Sequence, residues 1–230
     1  VSDPRLARIL GMLVAAGPSA STAGLCALAA AAVGVAGAGV MVEGADQRAP
    51  LCSSGSLAAR ILDLCLTLGE GPGRDAHQGG APVAEPDLAA PRRARWPSFA
   101  PPALGAGAAA LFSFPLRVGA VRLGALTLHG ERPGPLSDDQ HADALVMAWV
   151  VVSGILAQQA EAPPGALARE LAALSDSRAE VHQACGMISA QLEIGIAAAA
   201  VRLRAHAYAE DRPLAEVARE VVARRLRLGP

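Results

Sequence analysis

The sequence predicts two unlike architectures in one 230-residue chain, a mixed helix-and-strand domain over residues 1–160 and an all-α module over residues 161–230. Three observations predict it. Helical and extended patterns alternate through the first region, with apolar runs at Val40-Met41-Val42, Leu51-Cys52-Ser53, 108–116 and 121–128. Three consecutive C-terminal segments carry apolar residues at helical spacing: Val181, Ala184, Cys185, Ile188 and Leu192; then Ala199, Leu203 and Ala207; then Leu214, Val217, Ala218, Val221 and Val222. Between the regions, Pro163-Pro164-Gly165 interrupts any helix.

Taken in order, Asp3-Pro4 starts a helix whose stripe is Leu6, Ile9, Leu10, Leu13 and Val14. Arg5 and Arg8 ahead of this apolar run imitate a signal peptide, but the stripe favours an amphipathic helix. Residues 24–42 carry no charge, yet Ala and Gly dominate, so a buried helix and strand fit better than a membrane span. Ser21 or Thr22 caps the helix through Val33, Gly44-Ala45-Asp46 turns the chain, and residues 58–68 form the next helix. Residues 69–91, rich in Gly, Pro and Asp, read as a long irregular stretch. The strands over 108–116 and 121–128 join at a turn over 117–120, and Ser137 caps a helix through Gln159.

Composition bounds the function. Hydrophobic residues make up 52% and charged residues 18%, so a sizeable core forms. The net charge of −1 excludes a uniformly basic surface, but residues 201–230 hold seven Arg against four acids, modest support for a polyanionic partner. A solvated helical face explains that excess equally well. Cys26, Cys52, Cys65 and Cys185 are scattered, with no CxxC and no His at metal-ligand spacing, so buried free thiols in a reducing cytoplasm are expected, rather than a disulfide framework or a zinc site. No metal and no cofactor is implied. No P-loop, catalytic triad or paired-carboxylate motif appears, and Asp138-Asp139 suits a helix start, so an enzyme is not expected.

Beyond the proline break, Leu167, Leu174, Val181 and Ile188 recur every seven residues, with Leu171, Arg178, Cys185 and Leu192 in the second position. This predicts a coiled-coil connector running into the first C-terminal helix. Leu145, Ala148, Val152 and Ile155 form a similar seam upstream. Two such seams predict a parallel homodimer; a helix packing on its own domain is the alternative.

The C-terminal segment resembles the ANTAR domain, a three-helix RNA-binding module of bacterial antitermination regulators. The resemblance rests on Ser177-Arg178, Gln183-Ala184-x-Gly186-Met187-Ile188, Arg202-Leu203-Arg204-Ala205-x-Ala207 and Arg212-Pro213-Leu214 leading to Glu216-Val217-Ala218. Cys185 stands where that family usually has Lys, one cationic side chain fewer. The resemblance implies binding to paired hairpins in nascent RNA. Hairpin recognition calls for Arg on phosphate, amides on base edges and an aromatic platform. Arg178, Gln183, Arg202, Arg204, Tyr208 and Arg212 are the candidates. Arg202 and Arg204 diverge by about 200° on a helix, whereas Arg204 and Tyr208 share a face. Each Arg can equally serve a surface salt bridge, and Arg178 can sit in the connector seam.

The first region resembles a GAF domain of the kind fused to ANTAR in actinobacterial regulators. The matching residues are Leu68-Gly69-Glu70-Gly71-Pro72-x-x-Asp75-Ala76, Asp87-Leu88, Arg95-Trp96-Pro97-x-Phe99, Phe114-Pro115-Leu116-Arg117, Gly124-Ala125-Leu126-Thr127-Leu128 and Pro133-Gly134-Pro135-Leu136. Gly73 replaces a Cys frequent after the Gly-Pro of relatives. The resemblance implies an α+β fold, an antiparallel sheet flanked by helices, that senses a small molecule or dimerises. Its pocket would involve Asp75, Asp87, Trp96 and Phe99, although capping the core is the favoured role for Trp96 and Phe99. Together the resemblances imply a cytoplasmic regulator that promotes antitermination under control of a sensor domain. The alternatives are a dimeric sensor or protein-interaction module without RNA binding, and a sulfoxide reductase using Cys52 and Cys65.

Overall fold

The computed structural model describes residues 4–16, 22–43, 48–90, 95–161, 180–181, 183–210 and 212–229. The chain divides into two units, Val1–Glu161 and Ala162–Pro230.

The first unit is built on the alternation of its strands. Five strands, β1 (Gly37–Glu43), β2 (Arg48–Ser53), β3 (Val83–Glu85), β4 (Ala110–Val118) and β5 (Val121–Gly130), form one antiparallel sheet in the order β2-β1-β5-β4-β3. Ala38, Val40, Phe112, Phe114, Leu126 and Leu128 enter one core, and Leu111 and Ala125 the other, as the period of two requires. The sheet is therefore buried on both faces. Helices α1 (Pro4–Ala16), α2 (Thr22–Val33) and α6 (Asp138–Glu161) supply the first core, and α3 (Ser56–Leu68), α4 (Pro72–Gly79) and α5 (Ala100–Gly105) the second. This is the expected α+β antiparallel architecture.

Local chemistry sets the elements. Ser137 and Gln140 cap α6 reciprocally: Ser137 Oγ accepts from Gln140 N, and Gln140 Oε1 accepts from Ser137 N. Asp139 and Asp143, in the first turns of α6, bind Arg5 and Arg8 of α1. Gly124 has φ +152°, and a Cβ there would lie 1.9 Å from the Met41 carbonyl oxygen, so only glycine lets β5 lie against β1. Ser113 and Thr127 pair across β4 and β5 through a buried 2.9 Å hydroxyl contact.

Several expectations are corrected. The stretch over 69–91 is not irregular throughout; it holds α4 and β3. Pro72 at the first position of α4 fits a helix start, but the Gly-rich, polar sequence gave no apolar period to read. Cys26 and Cys52 are not free: they form a disulfide between α2 and β2, with Cα atoms 6.0 Å apart. Their separation of 26 residues has no local motif, because stacking of α2 on the sheet brings them together. Cys65 and Cys185 are free and buried. Ala148, Val152 and Ile155 do not form an outer seam; they lie in the core, and α6 instead exposes Leu145, Trp149 and Leu156, about one position away. Leu10 and Val14 likewise face outward on α1. By length and composition alone, α6 passes for a membrane-spanning helix, but its apolar residues include those core positions. The turn over 44–46 and the connector over 162–179 lie outside the described residues.

The second unit contains α7 (residues 183–192), α8 (Ile196–Ala209) and α9 (Leu214–Val222). Ala184, Cys185, Ile188, Ala199, Leu203, Ala207, Leu214, Val217, Ala218 and Val221 form its core, following the apolar stripes. At the α8–α9 corner, Arg212 N donates to Ala207 O, and Pro213 O accepts from Glu216 N and Val217 N. Residues 223–229 continue past α9 without helix, and Leu228 returns into the core.

His129 on β5 is buried with Nδ1 lacking a partner among the described residues. Burial pushes its pKa below the ordinary 6.5, opposed in part by Glu131. The folded state favours the neutral ring, so the stabilisation is present above about pH 6.5 and is lost as pH falls through the depressed folded value. Urea denaturation at about pH 7.5 and about pH 5.5 checks this. Wild type loses stability at the lower pH, and His129→Gln loses less.

Candidate functional site

In the second unit, the three-residue and four-residue steps of α8 place Ala199, Leu203 and Ala207 inward. The opposite face therefore shows Val201, Ala205 and Tyr208 to solvent. Val201 is 59% exposed and Tyr208 46%. Arg204 is half-buried on the flank of that face, close enough to Cys185 to favour its thiolate, although burial dominates and pushes the thiol pKa up. Gln183 is exposed on α7, and Ile196 begins α8 as a second exposed apolar residue. Arg202 is exposed and donates from Nη1 to the Gly229 carbonyl at 2.9 Å.

Arg212 has a different setting. Its guanidinium forks onto Glu216 at 2.7 Å and Glu220 at 2.9 Å, ion pairs that raise its own pKa and hold Glu220 below the usual carboxylate range. It ties the α8–α9 corner to α9. Arg178 lies outside the described residues. The structure thus gathers Arg204 and Tyr208 on one side of α8, with Arg202 turned toward the chain end. His206 Nε2 is buried without a partner among the described residues.

In the first unit, Asp75, Trp96 and Phe99 come together and Asp87 does not join them. Asp75 Oδ2 accepts from Trp96 Nε1 at 3.1 Å and pairs with Arg95 at 3.2 Å, while the Arg95 guanidinium covers the Trp96 ring at 5.2 Å. Trp96 and Phe99 are buried in edge-to-face contact, 6.3 Å between centroids. Glu70 Oε2 accepts from Ser98 N, a second tie between the start of α4 and this segment. Asp87 Oδ1 accepts from Ala89 N, an Asx turn.

The cavity on this face has other walls: Met41, Glu43, Arg48, Leu62, Cys65 and Thr127, with Gly73 and Arg74 from α4. It measures about 10 Å³, room for about one water. Glu43 pairs with Arg48 at 2.9 Å and approaches His77 Nε2 at 3.6 Å. Burial pushes the Cys65 thiol up to about 12, which makes it a poor nucleophile. A Cβ at Gly73 would come within 3.0 Å of Thr127 Oγ1, so glycine permits α4 to lie close on the sheet. Sequence reasoning missed Glu43, Arg48 and Arg74, because strand register and the unrecognised α4 bring them together. Cys52 is bonded to Cys26 in one core and Cys65 lies in the other, so the thiol pair of the reductase alternative is not formed. Among the described residues, no cluster of His, Cys, Asp or Glu suits a metal ion.

Residues 169–222 match the model of the ANTAR domain. The chain is similar in structure to the GAF domain of a phosphoenolpyruvate-protein phosphotransferase from Coxiella burnetii, with a TM-score of 0.53 and 15% identity over 69% of this chain and 94% of that one. It is also similar to the GAF domain of the Acinetobacter phosphoenolpyruvate-protein phosphotransferase, with a TM-score of 0.51 and 14% identity over 70% and 98%. No curated protein matches the chain. The fold class is therefore a GAF-like α+β unit followed by a helical region carrying an ANTAR domain. That combination supports a regulator architecture.

Asp75→Ala removes the partner of a buried indole N–H, which is expected to cost about 1–3 kcal/mol. Urea denaturation of the full chain measures it. An unchanged midpoint would show that Asp75 does not hold the 95–99 segment.

Proposed function

We propose that the protein regulates transcription by binding paired hairpins in nascent RNA through its second unit. Binding there competes with a terminator hairpin and lets transcription continue, in the cytoplasm and under control of the GAF-like unit. The observation that carries the reading is the outward side of α8, where exposed Tyr208 has half-buried Arg204 on its flank, within a region matching the ANTAR domain. An aromatic ring and a guanidinium on one face provide stacking and phosphate contact together. Gln183 and Arg202 add exposed donors, Arg178 precedes them in the chain, and Arg212 fixes the corner from which α9 departs.

The working form we assign is a homodimer. Leu145, Trp149 and Leu156 make an exposed apolar stripe on α6, with Trp149 57% exposed, and two copies would bury it. The signal is a small molecule read on the α3–α4 face of the sheet, where Asp75, Trp96 and Phe99 brace the covering segment beside the Glu43–Arg48 cavity and Asp87 shapes the turn after β3. Exposed Ile196 and Val201 favour the second reading, a dimeric interaction module without RNA binding.

A gel-shift titration with a synthetic RNA of two tandem hairpins separates these readings. Salt-sensitive binding is expected, with Tyr208→Ala weakening it about tenfold, since a stacked base contributes about 1–3 kcal/mol. Absence of salt-sensitive binding at micromolar protein selects the interaction module. Light scattering tests the dimer: wild type is expected as a dimer and Trp149→Glu as a monomer.

A further inference from the structure

Ion pairing in the second unit leaves much of its uncompensated positive charge after α9. Arg212 is paired with Glu216 and Glu220, and Arg219 with Glu180. Among the described residues of this unit, Arg202, Arg204, Arg224, Arg225 and Arg227 form no ion pair. Three of those five follow α9, past residue 222 where the ANTAR match ends. All three are exposed, and Leu226 and Leu228, on either side of Arg227, pack against the module's core.

The segment is fixed along its length. Arg224 N donates to Val221 O, and Arg225 N to Glu220 O, the paired bonds of a helix C-terminal Schellman turn. Gln191 Nε2 donates to Leu228 O at 2.9 Å, and Arg202 Nη1 to Gly229 O. Its end is thus held against α8 by a residue assigned above to RNA. Arg225 lies near Glu220, but that carboxylate already accepts from Arg212.

Arg224 occupies the position of this turn where glycine is favoured, with φ +58°. A left-handed conformation is unfavourable for an L-residue with a side chain. The α3 and α4 helices of the first unit end instead on Gly69 and Gly80, both with φ +67°. Backbone strain retained at an exposed arginine points to use of its side chain.

We propose that Arg224, Arg225 and Arg227 form a phosphate-binding ridge that extends the RNA interface beyond the ANTAR module. This rests on the RNA reading of the preceding subsection. Phosphate is the chemistry that fits: three solvated guanidiniums on an anchored segment, with no aromatic among them to read a base. The ridge adds affinity and salt dependence while leaving hairpin preference to α8.

The test uses the full chain and the synthetic tandem-hairpin RNA, with binding measured over a series of salt concentrations. Replacing all three arginines with Gln is expected to make the slope of log affinity against log salt shallower by about two. Arg224→Gly is the sharper variant: it relieves the left-handed strain, so the thermal midpoint rises, while the slope becomes shallower by about 0.7–0.9. Stability and binding then move in opposite directions, which no folding defect produces. Wild-type binding with an unchanged slope in both variants overturns the ridge and leaves the RNA reading standing. Failure of wild type to bind overturns both.

Discussion

The first unit depends on the pairing of β4 with β5, a nine-pair antiparallel ladder through the middle of the sheet. Both strands are buried on both faces over most of that length, so neither face can be left to water. Every other feature of the unit answers that constraint. Helices α1, α2 and α6 cover one face, with Arg5 and Arg8 fastening α1 to the start of α6. The second face is harder to cover, because α4 must come close to Thr127; Gly73 permits it and the Ser113–Thr127 pair satisfies the hydroxyls below. Asp75 then carries the constraint outward, holding the Trp96 ring over the same core.

That coverage explains why the α3–α4 face of the sheet is nearly closed. Glu43 and Arg48 are paired beside a space for about one water, and His77 approaches the same carboxylate. A larger ligand requires α4 or the 95–99 segment to move. The polar ties that resist include the Asp75 contacts with Arg95 and Trp96, the Glu70 contact with Ser98, and the Arg122 guanidinium on the His77 and Gln78 carbonyls of α4. Burial of Trp96 and Phe99 adds the larger resistance, since burying such a side chain contributes about 1.5–3 kcal/mol.

Period was legible in the sequence and phase was not. The apolar runs of β1, β2, β4 and β5, the helix over Thr22–Val33 and all three C-terminal stripes appear where their spacing put them, because burial on a fixed face selects residues at period 2 or 3.6. The α6 seam shows the limit. Leu145, Ala148, Val152 and Ile155 satisfy a heptad, yet three of them serve the domain's own core and the exposed stripe sits one residue over. A single helix cannot say which of two adjacent stripes meets its own sheet. The short α4 and β3 carry no period at all, and the Cys26–Cys52 bond joins elements that only tertiary stacking brings near. Gln183, Arg202, Arg204 and Tyr208 were legible as candidate residues, but their directions follow from packing around Leu203.

In the second unit, the same packing decides which charges remain free. Cys185 is buried between helices, so the first helix offers no cation at that position, and Arg212 is drawn into the corner by two carboxylates of α9. A corner built this way gains a rigid joint but removes an arginine from recognition, since both Nη atoms are already donating to carboxylates. The ion pairs are partly exposed, and solvent screening leaves such pairs little weight in stability. Their value lies in direction more than in stability: they orient α9, and α9 in turn aims the chain that follows it. The apolar core of this small module therefore determines not only its fold but also where its uncompensated charge can stand.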